Sequence, residues 1–265
     1  MLGKLIKYDL KAIFRNLLPL CIAFIIVGIV AGISFPYNIE DDNAVGFLLL
    51  WGIMVFALVV MTIAVSVISL IIVVMRFYKN LLGNEGYLSF TLPVSTGSLL
   101  ASKCISGYIS FLFAFVSGVI TYVSFAEILV LKTGSQEAIN DINNVFIEWI
   151  QDIVTSPFQY ITLDILVMIT GSFIFLTRIY FSIILGNLSS NHKLIVSFGS
   201  YIVVSVLESI IKYIVSEAME SSYDLSNLSS SYASTETFTI IINIIFIVVY
   251  LFGTYYFMNN KLNLE

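Results

Sequence analysis

The residues able to do chemistry in this sequence are few, and most of them lie inside apolar runs. Asp164 and Arg178 stand 14 residues apart in one run, and Glu208 and Lys212 four apart in another. At about 100° per residue, Asp164 and Arg178 share roughly one helical face. A charge within a bilayer is costly, so such residues mark pathways or paired sites. Two readings stand. Either Asp164 and Arg178 line a translocation path, or Asp164 reaches the outer interface while Arg178 snorkels to the inner one. Glu208 and Lys212 read as a local i, i+4 ion pair. Asn243, in the last apolar run, reads as glue between helices.

Catalytic constellations are missing. The single histidine, His192, excludes a histidine-rich metal site and the H-E-x-x-H zinc motif. There is no G-x-x-x-x-G-K-[ST] phosphate loop, so this chain is not expected to bind ATP by that route. There is no G-x-S-x-G nucleophile elbow either. Intramembrane hydrolysis would need an activated nucleophile or a metal in a water-filled cleft, and no residues form such a set. Cys21 and Cys104 fall in or beside apolar segments and read as small packing residues, with no disulfide or metal between them. The chain therefore reads as a non-enzyme with no cofactor of its own.

The elements that must hold these residues are membrane helices. Hydrophobic residues make up 59% of the chain and charged ones 11%, whereas a soluble domain carries about a quarter charged residues. Six stretches reach the roughly 20 apolar residues that a crossing needs: 17–35, 46–75, 104–131, 158–186, 194–215 and 238–258. The second, third and fourth exceed the bilayer requirement, so they tilt or project from it as helix. The first is too long for a signal peptide core, and no A-x-A pattern follows it closely. The basic residues lie overwhelmingly in the loops of one side: Lys4, Lys7, Lys11, Arg15, Arg76, Lys79, Lys103, Lys193 and Lys261. That side is expected to be cytoplasmic, with both termini inside. No basic domain suggests nucleic-acid binding.

Lys4, Lys7, Lys11 and Arg15 recur at spacings of 3, 4 and 4, opposite a mostly apolar face. The pattern predicts an amphipathic interfacial helix that turns into the membrane near Pro19. The outer loop 132–157 carries an amphipathic pattern around Trp149. The Ser-rich and acidic stretch 216–237 reads as a flexible outer loop. No internal repeat supports an inverted-repeat carrier.

The segment 76–98, between the second and third crossings, is unusual. Leu81, Leu82, Tyr87, Leu88, Phe90 and Leu92 are too apolar for a solvated loop. Gly83 and Gly86 bracket Glu85, Pro93 stops any local helix, and Ser95 can cap the next. The composition reads as one or two short helices that dock on a soluble partner or pack on the protein's own helix ends.

The opening Met-Leu-Gly-Lys-Leu-Ile-Lys-Tyr-Asp-Leu-Lys-Ala and the later Gly-Asn-Glu-Gly-Tyr-Leu-Ser-Phe-Thr-Leu-Pro-Val-Ser resemble permease subunits of type-2 ATP-binding-cassette exporters of Gram-positive bacteria. The resemblance extends over the whole chain. It implies an all-α integral membrane protein of six crossings in the bacterial plasma membrane, forming one permease domain over 1–265. It also implies a partner ATPase dimer that binds ATP and Mg, and a second permease, identical or not. A coupling helix would lie within 83–93, with Gly83, Glu85, Gly86, Tyr87, Leu88, Phe90 and Pro93 as the ATPase-coupling residues. Lys4, Lys7, Lys11 and Arg15 would flank the same partner. Family members often carry a re-entrant apolar element before the last crossing, which 216–237 lacks. The implied activity is export of an amphipathic peptide, drug or lipid-like molecule. Other readings are an ion-coupled transporter or channel using Asp164 and Arg178, an intramembrane enzyme, and a membrane sensor or immunity protein.

Overall fold

The computed structural model describes residues 2–35, 44–83, 94–133, 158–189, 192–220 and 228–260, together with Gly86 and Asn144. Six long helices account for nearly all of them: α1 Leu2–Ile33, α2 Ala44–Leu81, α3 Thr96–Thr133, α4 Phe158–Asn187, α5 Lys193–Glu220 and α6 Leu228–Asn260. Each is long and apolar enough to cross a membrane, and no strand occurs among the described residues. The protein is an all-helical, multi-pass membrane protein.

The helices outrun the apolar stretches that announce them. α2 and α3 have 38 residues each, about 57 Å at 1.5 Å per residue, against roughly 30 Å of hydrocarbon. Residues 76–81 and 96–98 of the expected loop are therefore helix. α2 ends at Leu81, where the amides of Leu82 and Gly83 both donate to the Tyr78 carbonyl at 2.8 and 2.9 Å. A Cβ on Gly83 would lie 3.1 Å from the Lys79 carbonyl oxygen, so the turn favours glycine there. Ser95 caps α3, its hydroxyl accepting the Ser98 amide at 3.3 Å.

One helix, α1, runs from Leu2 to Ile33 with Pro19 inside it. Pro19 is exposed, and the buried stripe Asp9, Ile13, Leu17, Cys21, Phe24, Gly28 passes on the other side. The lost hydrogen bond thus falls where the freed carbonyl costs the packing nothing. The stretch 216–237 is not one long loop, because α5 continues to Glu220 and α6 begins at Leu228. Ser216 turns its hydroxyl back on the helix, Oγ donating to Tyr213 O at 2.8 Å, and Thr239, just past the stretch, donates from Oγ1 to Thr235 O at 3.0 Å.

Contacts gather in two compact units. One comprises residues 7–73 and 109–153, the other 1–6, 74–108 and 154–265. In the first, Ile13, Leu17, Cys21 and Phe24 of α1 pack with Val65 of α2 and with Phe113 and Ala114 of α3. α1 and α3 approach closely at Gly28 and Gly32. A Cβ on Gly28 would lie 3.1 Å from Thr121 O, and one on Gly32 3.0 Å from Ile128 Cβ. Lys132 closes the far end of this unit by donating to the Ile33 and Phe35 carbonyls. In the second unit α4 is central. It packs on both α5 and α6, which meet each other at few points.

Buried positions are often polar. α3 buries Ser102, Ser106, Ser110, Ser117 and Thr121, while many of the large apolar side chains face outward. Small residues let helices approach, and lipid is as apolar as leucine, so this inversion suits a bilayer.

Candidate functional site

The described part of the second unit holds a charged cluster inside its membrane helices, centred on Glu208 of α5. Arg178 of α4 donates from Nη1 to Glu208 Oε2 at 3.3 Å. Lys212, one turn along α5, places Nζ 2.7 Å from Oε1. Tyr250 of α6 donates its hydroxyl to Oε2 at 2.9 Å. One carboxylate thereby ties three helices. The Glu208 side chain is 5% exposed and that of Arg178 15%, so these charges interact in a medium of low dielectric.

Aromatic rings complete the cage. Arg178 Nη2 donates to the Tyr201 hydroxyl at 3.1 Å, and the guanidinium lies 5.0 Å from the Tyr201 ring centroid, a cation–π distance. Phe175 sits on another side at 5.9 Å. The Arg178 Nε is buried with no hydrogen-bond partner.

Arg178 is thus held by Glu208, neither exposed alone nor paired with Asp164. Asp164 and Arg178 lie on one helix, and 14 residues separate them by about 21 Å of rise. Asp164 is exposed. The i, i+4 pair of Glu208 and Lys212 is present as its spacing predicts. Asn243 bridges helices as expected, donating from Nδ2 to Thr170 Oγ1 of α4 at 3.2 Å. The cross-helix partners, Arg178 and Tyr250 for Glu208, lie 30 and 42 residues away. No spacing in the sequence points to them, because only tertiary packing brings them to Glu208.

A second feature lies two residues from Arg178. Tyr180 is 2% exposed. Its ring stacks on Phe77 of α2, with centroids 4.0 Å apart and planes 8° apart. Its hydroxyl donates to the Lys103 carbonyl of α3 at 3.2 Å. One side chain of α4 therefore grips the end of α2 and the beginning of α3, next to the segment that the sequence singles out for docking.

Of the coupling residues expected there, Gly83 and Gly86 are described, with the Gly86 amide donating to Gly83 O at 2.8 Å. Glu85, Tyr87, Leu88, Phe90 and Pro93 lie outside the described residues. Lys4, Lys7, Lys11 and Arg15 are all exposed on α1. Cys21 and Cys104 are free and buried. No group of histidine, cysteine or acidic residues able to hold a metal occurs among the described residues. The chain matches no protein-family model, no curated protein and no solved structure.

Proposed function

We propose that this chain is the membrane-spanning permease subunit of an ATP-driven exporter, and that a separate cytoplasmic ATPase docks on the segment between α2 and α3. The observation that carries this reading is the grip of Tyr180 on Phe77 and on Lys103 O. A displacement applied between α2 and α3 reaches α4 through one buried residue. From α4 it reaches α5 and α6 through Arg178, Glu208 and Tyr250. Helices far longer than a bilayer carry such a displacement without bending as a loop would.

In this reading two permeases pair about a near two-fold axis over two ATPases. The ATPases bind ATP and Mg, and closing on ATP they drive the docked segment. Glu85 and Tyr87 make the principal contacts, with Lys4, Lys7, Lys11 and Arg15 flanking the same partner. The termini and the docking segment face the bacterial cytoplasm, and the cargo is amphipathic. The test is co-purification in mild detergent with the candidate ATPase, comparing wild type with Glu85→Arg plus Tyr87→Ala. The expected result is capture by wild type and loss with the double variant. Failure of wild type to hold any ATPase would end the permease reading. Tyr180→Ala should keep the ATPase bound while ATP hydrolysis loses its response to cargo.

One observation favours a second reading, an ion-coupled carrier: the buried carboxylate Glu208 among cations inside the membrane span. It requires transport that stops with an ionophore and persists without any ATPase, the opposite of what the first reading requires.

A further inference from the structure

The geometry points to a binding site for one anionic amphiphile between the α5 end and the start of α6, with Lys212 as the headgroup ligand. Three observations converge on it. The first is a charge inventory. Around Glu208 stand two permanent cations, Arg178 and Lys212, and one carboxylate. Among the described residues, the cluster holds a surplus positive charge within a membrane span, where an unbalanced charge is costly and a second anion would relieve it.

The second is the hydrogen-bonding capacity of Lys212. An ammonium carries three N–H groups, and Glu208 takes one of them at 2.7 Å. The Lys212 side chain is 34% exposed, unlike the buried Arg178, so its remaining donors are the ones a ligand can reach.

The third is a cavity of about 240 Å³ lined by Lys212. Val215, Phe238 and Ile242 form apolar walls, and Ser216 and Thr239 lie beside them. Both hydroxyls donate to their own helix backbone, and Lys212 is the cation among the residues that line the cavity. The cavity exists because α5 and α6 meet at few points. At 240 Å³ it falls below the roughly 300–1,000 Å³ of sites for drug-sized molecules. It fits an acid group with the first carbons of one acyl chain. A phospholipid and a free fatty acid share that chemistry.

The site does not depend on what the chain transports, so the full chain is tested alone, in phosphatidylcholine nanodiscs. Bound oleate is counted by native mass spectrometry, with oleyl alcohol as the chain without the charge. Oleate is expected to bind one per chain, and oleyl alcohol not at all. Lys212→Gln should weaken oleate about tenfold or more, the loss of one charge-assisted hydrogen bond, and Lys212→Arg should restore it. Ile242→Trp, which keeps the charge and fills the cavity, should also abolish binding. If Lys212→Gln does not fold, the Arg and Trp variants still decide. Equal binding of oleate and oleyl alcohol, or full binding by Ile242→Trp, would overturn the site. Repeating the titration in phosphatidylglycerol nanodiscs separates the sources. Loss of oleate there identifies an anionic phospholipid as the occupant, and unchanged oleate binding identifies a free amphiphile. Either result requires the site.

Discussion

Glu208 offers two carboxylate oxygens to three donors, and through them it ties α4, α5 and α6 at one depth. Removing its charge leaves Arg178 and Lys212 facing each other across a neutral amide. Breaking a buried pair by deleting one partner costs about 3–5 kcal/mol, and Glu208→Gln should fall at the lower end because Lys212 is partly exposed. Tyr250→Phe deletes a single hydrogen bond, worth about 1 kcal/mol between membrane helices. Thermal unfolding in detergent should rank the variants in that order, with Lys212→Met between or below them. A Glu208→Gln protein as stable as wild type would show that the cluster does not hold the helices. The two halves of this cluster differ in legibility. The Glu208–Lys212 pair follows from a spacing of four on one helix. Arg178 and Tyr250 could not be assigned to it, because 30 and 42 residues of chain intervene and only tertiary packing brings them in. Asp164, on the same face of α4 by spacing, lies about 21 Å further along that helix.

At the scale of the element, the six crossings were plain in the sequence because each is a long apolar run, but their inward faces were not. In lipid the apolar pattern carries little information about packing, since lipid and a neighbouring helix are equally apolar. The inward faces are written instead in small and polar residues. Gly28 and Gly32, a G-x-x-x-G pair, mark where α1 meets α3, and the serines of α3 mark its buried side. The Ser-rich stretch after Val215 misled for the same reason: such residues are loop formers in water, yet here helix continues to Glu220 and resumes at Leu228, with Ser216 bonding to its own helix. Gly186 gives the sharpest test of close approach. A Cβ there would lie 2.6 Å from both the Cα and the N of Ser197 on α5. Backbone cannot rotate aside as a side chain can, so Gly186→Ala must push α5 away from α4, at about 2 kcal/mol or more. It should also lengthen the Ser200–Ser182 hydrogen bond, now 3.0 Å. Ser197→Ala removes the hydroxyl but not that backbone, so it should fail to rescue Gly186→Ala in the same unfolding measurement. A full rescue would place the clash in the side chain alone and refute the backbone contact.

For the whole molecule, the reading stands or falls on sidedness. In the proposed topology, six crossings put the segment between α2 and α3 on the side of the N-terminus, whichever side that is. The basic residues gather on that same side, and the exceptions have local uses. Lys132 caps α1 through the Ile33 and Phe35 carbonyls, and Lys212 is bound into the Glu208 cluster. With those two set aside, the asymmetry that orients membrane proteins is close to complete. Single cysteines introduced in whole cells will report it, and the native Cys21 and Cys104 are both buried, out of reach of the reagent. Lys11→Cys should react with a membrane-impermeant maleimide only after the cells are opened, whereas Asp141→Cys should react in intact cells. The reverse pattern would put the N-terminus outside, and with it the docking segment. No cytoplasmic ATPase could then reach that segment, so the exporter reading would fail on topology alone. The Glu208 cluster and the Lys212 cavity would survive that result, since neither depends on which face of the membrane they approach.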